Sequence, residues 1–210
     1  MKTCEYDGAA FEEARSHPWS RAESSAAFRY YDLKNDPALI RTALEDFVPW
    51  NRYPAIERFY QLIEAINGAA SPLETNDCAF SGPELTEAAP PEKAFQCTGR
   101  VMVLYRTLEE NLSKPHIVWL NRALHHLLAP IDPAFDGGIV GTTVIPVRYV
   151  SLPVAPAAQL GEQLMVSFWV WGSSEEEAMT NLDRLAKNLA QGFAELIREI
   201  VERVERENSA

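Results

Sequence analysis

Two segments of this chain carry the same pattern of apolar and polar residues. The first has Val101-Met102-Val103-Leu104-Tyr105, a spacer, then Trp119-Leu120-Asn121-Arg122-Ala123-Leu124. The second has Leu164-Met165-Val166-Ser167-Phe168, a spacer, then Asn181-Leu182-Asp183-Arg184-Leu185. Val101 to Leu164 is an offset of 63 residues and Leu120 to Leu182 one of 62, so the spacers differ by one residue. In each segment a run of β-formers precedes an apolar period of helical spacing. An apolar strand and an amphipathic helix, each written twice, must be buried against one another in layers. The expectation is an α+β fold on a mainly antiparallel four-stranded sheet, built from a duplicated strand-strand-helix unit. The first unit covers 75–128 and the second 138–207. With an N-terminal helical pair at 36–66 they make one domain, 25–210, behind a polar arm, 1–24, in which Phe11 and Trp19 are the candidate anchors.

Local signals place the elements. Asp36-Pro37 reads as a helix start, because Asp can cap free amides and Pro lacks an N–H that would have no partner there. Leu39, Ile40, Leu44 and Phe47 share a helical face up to Pro49. A second helix runs over 52–66 and stops at Asn67-Gly68. The chain then changes period, with a short strand at 77–82, an exposed loop at 83–93, a long strand at 95–106 and a helix at 116–128. Gly137-Gly138 marks a hairpin-type turn, and Pro146 makes the strand 139–152 an edge strand or a bulged one. A strand at 163–171 follows, with Val166, Phe168 and Val170 on one face and Trp169 and Trp171 on the other.

The last helix, 174–207, opens on Ser174 and Glu177, the spacing of a capping box. Leu182, Leu185, Leu189, Phe193, Leu196 and Ile200 form its apolar stripe. At 1.5 Å per residue the helix is about 50 Å long, so its final turns overhang a domain of this size. The stripe continues through Ile197, Val201 and Val204, and exposed apolar surface of that length is normally covered. The expectation is a homodimer paired through this helix.

Aspartate and glutamate number 30 against 19 lysines and arginines, a formal net charge of -11. That balance repels nucleic-acid phosphates and anionic membranes and attracts basic proteins. No apolar run is long enough to cross a membrane, and the first residues lack the apolar core of a secretion signal. Three widely spaced cysteines (Cys4, Cys78, Cys97) make neither a disulfide framework nor a metal cluster. Together these features predict a cytoplasmic protein with reduced thiols.

Candidate chemistry is sparse. His125 and His126 are adjacent on a helix and point about 100° apart, which is poor geometry for chelating one ion. His116 lies nine residues upstream, and Asp132 and Asp136 lie just downstream. No metal or cofactor is expected from this spacing. Gly137 to Thr143 lacks the lysine and the following helix of a phosphate loop. The acidic pair Glu109-Glu110 and the aromatics Trp169 and Trp171 are candidates for partner contact, since aromatic side chains dominate interface energetics. The expected function is therefore a non-catalytic, acidic interaction protein of the inhibitor or bacterial immunity type, with a basic protein as partner. The alternatives are a hydrolase using His125, His126, Asp132 or Asp136, and a self-assembling accessory protein.

Overall fold

The structure is a computed structural model, and it describes residues 1–6, 15–17, 31–87, 92–149 and 159–209. Strands β4 (Phe95–Tyr105) and β6 (Gln159–Gly172) lie antiparallel at its centre, Phe95 opposite Gly172 and Val103 opposite Leu164. Antiparallel neighbours flank them, β3 (Leu73–Leu85) beside β4 and β5 (Gly138–Tyr149) beside β6. The far edge of β5 carries two short parallel strands. β1 (Thr3–Glu5) pairs with 140–142 and β2 (Arg15–His17) with 147–149.

Side chains alternate across this sheet as strand geometry requires. Val101, Val103, Tyr105, Leu164, Val166, Phe168 and Val170 are buried in one core with three helices. These are α1 (Pro54–Ile66), α3 (Lys114–Leu128) and α4 (Glu175–Asn208). The opposite face holds two smaller apolar clusters. Met102, Ile145 and Met165 gather with Tyr6, and Leu104, Val147 and Tyr149 with Leu108 and Leu112 around the short helix α2 (Leu108–Asn111). Each fully buried leucine or phenylalanine contributes about 1.5–3 kcal/mol, so the helix-side core dominates stability.

The hydroxyl of Ser174 caps α4 by accepting from the Glu177 amide at 3.2 Å. The Glu177 carboxylate reaches back one residue further than a capping box would, to the Ser173 amide at 2.9 Å. Leu182 to Ile200 of the stripe are buried. Gly192 lets Leu128 approach where a Cβ would lie 2.4 Å from the leucine methyl, so α3 and α4 touch closely there. The last turns of α4 are also in use. Ile200 is in the core, Ile197 packs on it, and the Arg203 guanidinium sits 5.2 Å above the Trp119 ring of α3. Of the stripe, only Val201 and Val204 are exposed. Of the apolar surface from which a dimer is expected, Ile200 and part of Ile197 are covered within one chain, while Val201 and Val204 are left exposed.

Several expectations need correction. The sheet is mixed and larger than four strands, because short parallel strands too brief to show a period join β5. Described parts of the polar arm belong to the fold: Met1 is buried and residues 3–5 and 15–17 are strands. Phe11 and Trp19 lie outside the described residues. The helix expected from 36 to 48 is instead two 3-10 turns, Pro37–Arg41 and Val48–Trp50, joined by tight turns. Asp36 makes no side-chain cap there. Ile40 and Phe47 are still fully buried, and Phe47 stacks on Phe80 at 5.3 Å, so packing rather than helical hydrogen bonding fixes the segment.

β3 runs from 73 to 85 rather than 77 to 82. Register breaks between Thr75 and Asp77 and between Ser81 and Glu84 hid its period. It takes in Pro83, which is buried and was expected in a loop. Gly137-Gly138 is no hairpin; it leads from the turn after α3 into β5. Asp132 in that turn has a φ of 49°, the left-handed region that Asp tolerates. Pro146 falls between the two stretches of β5 that pair with β1 and β2, where no outer partner is needed.

Candidate functional site

The four residues of the hydrolase alternative do not converge. His125 Nε2 lies 2.5 Å from Thr142 Oγ1, and the Thr142 hydroxyl donates to Asn121 Oδ1 at 2.6 Å. The single hydroxyl proton is spent on Asn121, so His125 must be the donor through Nε2–H. The Asn121 amide in turn donates to the Glu5 carboxylate. This chain of donors ties α3 and β5 to β1. Burial lowers the His125 pKa, which favours the neutral ring. His126 and Asp136 are exposed. Asp132 is held by both forks of Arg184, which lowers its pKa, and by Asn188 at 3.4 Å. Among the described residues, no group of three His, Cys, Asp or Glu could hold a metal.

Thr142→Val keeps the shape of that side chain and strands both of its partners. Urea unfolding should register a loss of about 1–3 kcal/mol, the cost of leaving buried polar groups unpaired. An unchanged midpoint would mean that the chain from Glu5 to His125 adds nothing to stability.

The thiols are equally quiet. Burial pushes Cys78 and Cys97 up to about 12, so neither carries thiolate at neutral pH. Sequence reasoning missed a buried polar cluster. His17, Glu74, Asn76 and Gln163 are all buried. Lys34 Nζ sits 2.5 Å from Glu74 Oε2, and His17 Nε2 lies 3.9 Å from Oε1. The Asn76 amide donates to Gln163 Oε1 at 2.7 Å, and Tyr149 meets the His17 ring edge-on. Burial, reinforced by Lys34, lowers the His17 pKa to about 4. The one sequence signal for this cluster was Gln163, a lone amide inside an apolar strand.

The candidate partner-binding residues split into two places. Glu109 and Glu110 belong to α2, beyond the Tyr105 end of β4, and Glu110 pairs with His116. Trp169 and Trp171 lie opposite Thr98 and Gln96, near the other end of that strand. Nine residues separate Gln96 from Tyr105, about 30 Å of strand.

At the Trp169 end the face away from the helices forms a groove of about 340 Å³. Ser81, Thr98, Arg100, Met165, Ser167 and Trp169 line it. Gly141 is what sets the indole: a Cβ there would lie 2.7 Å from its ring, so the ring lies across the bare backbone of β5. Tyr6 holds it edge-on at 6.2 Å and shares a hydrogen bond with Ser167 at 2.9 Å. The Arg100 guanidinium gives Nε and Nη2 to Asp77 Oδ2 at 3.2 and 3.0 Å, which neutralises it. Ser81 donates to Glu84 at 2.9 Å. The arrangement is a rigid, concave, hydrogen-bonding surface with one aromatic plate. No protein family, curated protein or solved structure matches this chain.

Proposed function

We propose that the chain is a non-catalytic protein that acts by binding a partner protein, as an inhibitor or immunity protein does, and that the partner's surface is basic. The observation that carries this reading is the groove on the outer face of the sheet. Its walls are hydroxyls, an ion-paired arginine and an indole fixed by Gly141 and Tyr6. A binding surface built on strands is preorganised, which lowers the cost of ordering on association. His125 already engaged by Thr142 and the Cys78 and Cys97 thiols pushed up to about 12 support a binding rather than a catalytic role. The net charge of -11 favours a basic protein over nucleic acid. No helix among the described residues is long and apolar enough to cross a membrane. A cytoplasmic setting belongs to this reading, supported by three free cysteines.

Isolating the protein from its native cells with whatever is bound, then rebuilding the complex from purified parts, tests the reading. Calorimetry should find a stoichiometric complex that weakens as salt rises. A chain that forms no reproducible complex would overturn it.

Two finer points belong with this proposal. Internal duplication is supported by the strand order β5-β6-β4-β3 and by the pairing of Met102 with Met165, which hold equivalent places in the two sequence segments. A homodimer through α4 would have Val201, Val204 and the flanking ion pairs to use. Light scattering at micromolar concentration should then give about twice the 23.5 kDa of one chain. A mass that stays at one chain across a dilution series excludes it.

A further inference from the structure

We infer that the groove seats one cationic side chain, a lysine or arginine, of the partner protein. The inference rests on the partner-binding reading above and gives it a place and a chemistry. Ser81, Thr98 and Trp169 stand directly opposite one another on β3, β4 and β6, so they form one row across the sheet. Neighbouring strands are about 4.8 Å apart, which makes the row about 10 Å long. Glu84, opposite Gln96 further along the hairpin, accepts the hydrogen bond of Ser81 and so sets a carboxylate beside the row at that residue. Taken from that carboxylate across the sheet, the order is a carboxylate, two hydroxyls and an indole. A long cationic side chain matches that sequence, with its charge at the carboxylate or over the ring and its N–H groups on the hydroxyl oxygens. Ser81 spends its own proton on Glu84, so its lone pairs face the groove as acceptors.

The charge environment agrees. Arg100, the cation in the groove wall, is already paired with Asp77 in the next rows. Glu87 and Glu92 are exposed near the tip of the β3–β4 hairpin, just beyond Glu84. Approach of a basic surface is therefore favoured from that end.

The experiment follows amide and indole NMR signals of the whole protein during titration with two ten-residue peptides. One carries three arginines and the other three glutamates in the same places. The arginine peptide should move the Ser81, Thr98 and Trp169 signals saturably, and the glutamate peptide should leave them still. Glu84→Gln, on an exposed side chain, should weaken the arginine peptide about five-fold. Thr98→Arg, checked for an unchanged fold by its spectrum, should abolish the response. Arginine-peptide shifts confined to the acidic last turns of α4 would overturn the inference, as would equal shifts with both peptides or none with either. So would groove signals that move with protein concentration alone, which would identify a second copy as the occupant. If the isolated partner binds Thr98→Arg with unchanged affinity, the groove assignment fails while the partner-binding reading stands. If no partner forms a complex with the wild-type chain, that reading falls whatever the peptides do.

Discussion

Phe168→Ala will lower the unfolding free energy by about 3–5 kcal/mol, the cost of emptying a buried aromatic site that cannot collapse. The ring is fully buried at the centre of β6. Its centroid lies 4.9 Å from that of Phe59 on α1, and its tip fills the space beside Gly99, where a Cβ would sit 2.3 Å away. One side of the cavity would be strand backbone, which cannot move inward without breaking the ladder to β4. Total stabilities of domains are about 5–15 kcal/mol, so this change removes a large fraction. Urea unfolding should show a lower midpoint with an unchanged slope. A loss under about 1 kcal/mol would mean that α1 does not rest on the sheet as described.

The second large effect is a loss of stability in mild acid, and its source is His17. Burial holds its folded pKa near 4, below the ordinary 6.5. As pH falls through 6.5, the unfolded chain takes up a proton on this ring and the folded chain does not. Stability present above pH 6.5 is therefore lost on descent towards pH 4, by about 3 kcal/mol in full. His17→Phe keeps a ring beside Tyr149 and removes the titration. Denaturation curves between pH 7.5 and 4.5 should fall less steeply for the variant than for the wild type. Parallel curves would show that His17 is not held neutral in the folded protein.

Elements whose side chains serve one purpose were legible in the sequence. β4, β6, α1 and α4 each bury an unbroken apolar period, so period, position and buried face could be read together. β3 could not, because Glu74, Thr75 and Asn76 are buried polar residues. Part of their environment comes from His17 and Lys34, far away in sequence, and no local pattern encodes such partners. β1 and β2, at three residues each, are too short for any period. The segment 36–48 misled in the opposite direction. Asp36-Pro37 is a sound helix start, but the chain goes on as two 3-10 pieces joined by turns while Ile40, Leu44 and Phe47 still enter the core. The site was visible only as alternation: Thr98 and Arg100 on β4, Ser167 and Trp169 on β6. That these four line one groove follows from the strand register, which brings together residues about 70 positions apart.

The pairing of β1 with β5 joins residues that are 137 positions apart, Thr3 with Val140. Loop closure over such a span is entropically expensive, and pairings of this kind form late. Until β1 pairs, the 140–142 stretch of β5 is an open edge, with β2 covering only 147–149. The bond from the Tyr6 amide to Thr142 O, at 3.1 Å, closes this zipper, and the Tyr6 ring is also the support against which the Trp169 indole stands. Fastening of the edge and shaping of the groove are thus one event. A molecule whose first strand has peeled away loses the brace of its aromatic plate along with its edge protection. On the proposed reading, binding competence follows the opening equilibrium of β1 rather than global unfolding, and hydrogen exchange at Cys4 to Tyr6 reports on that opening.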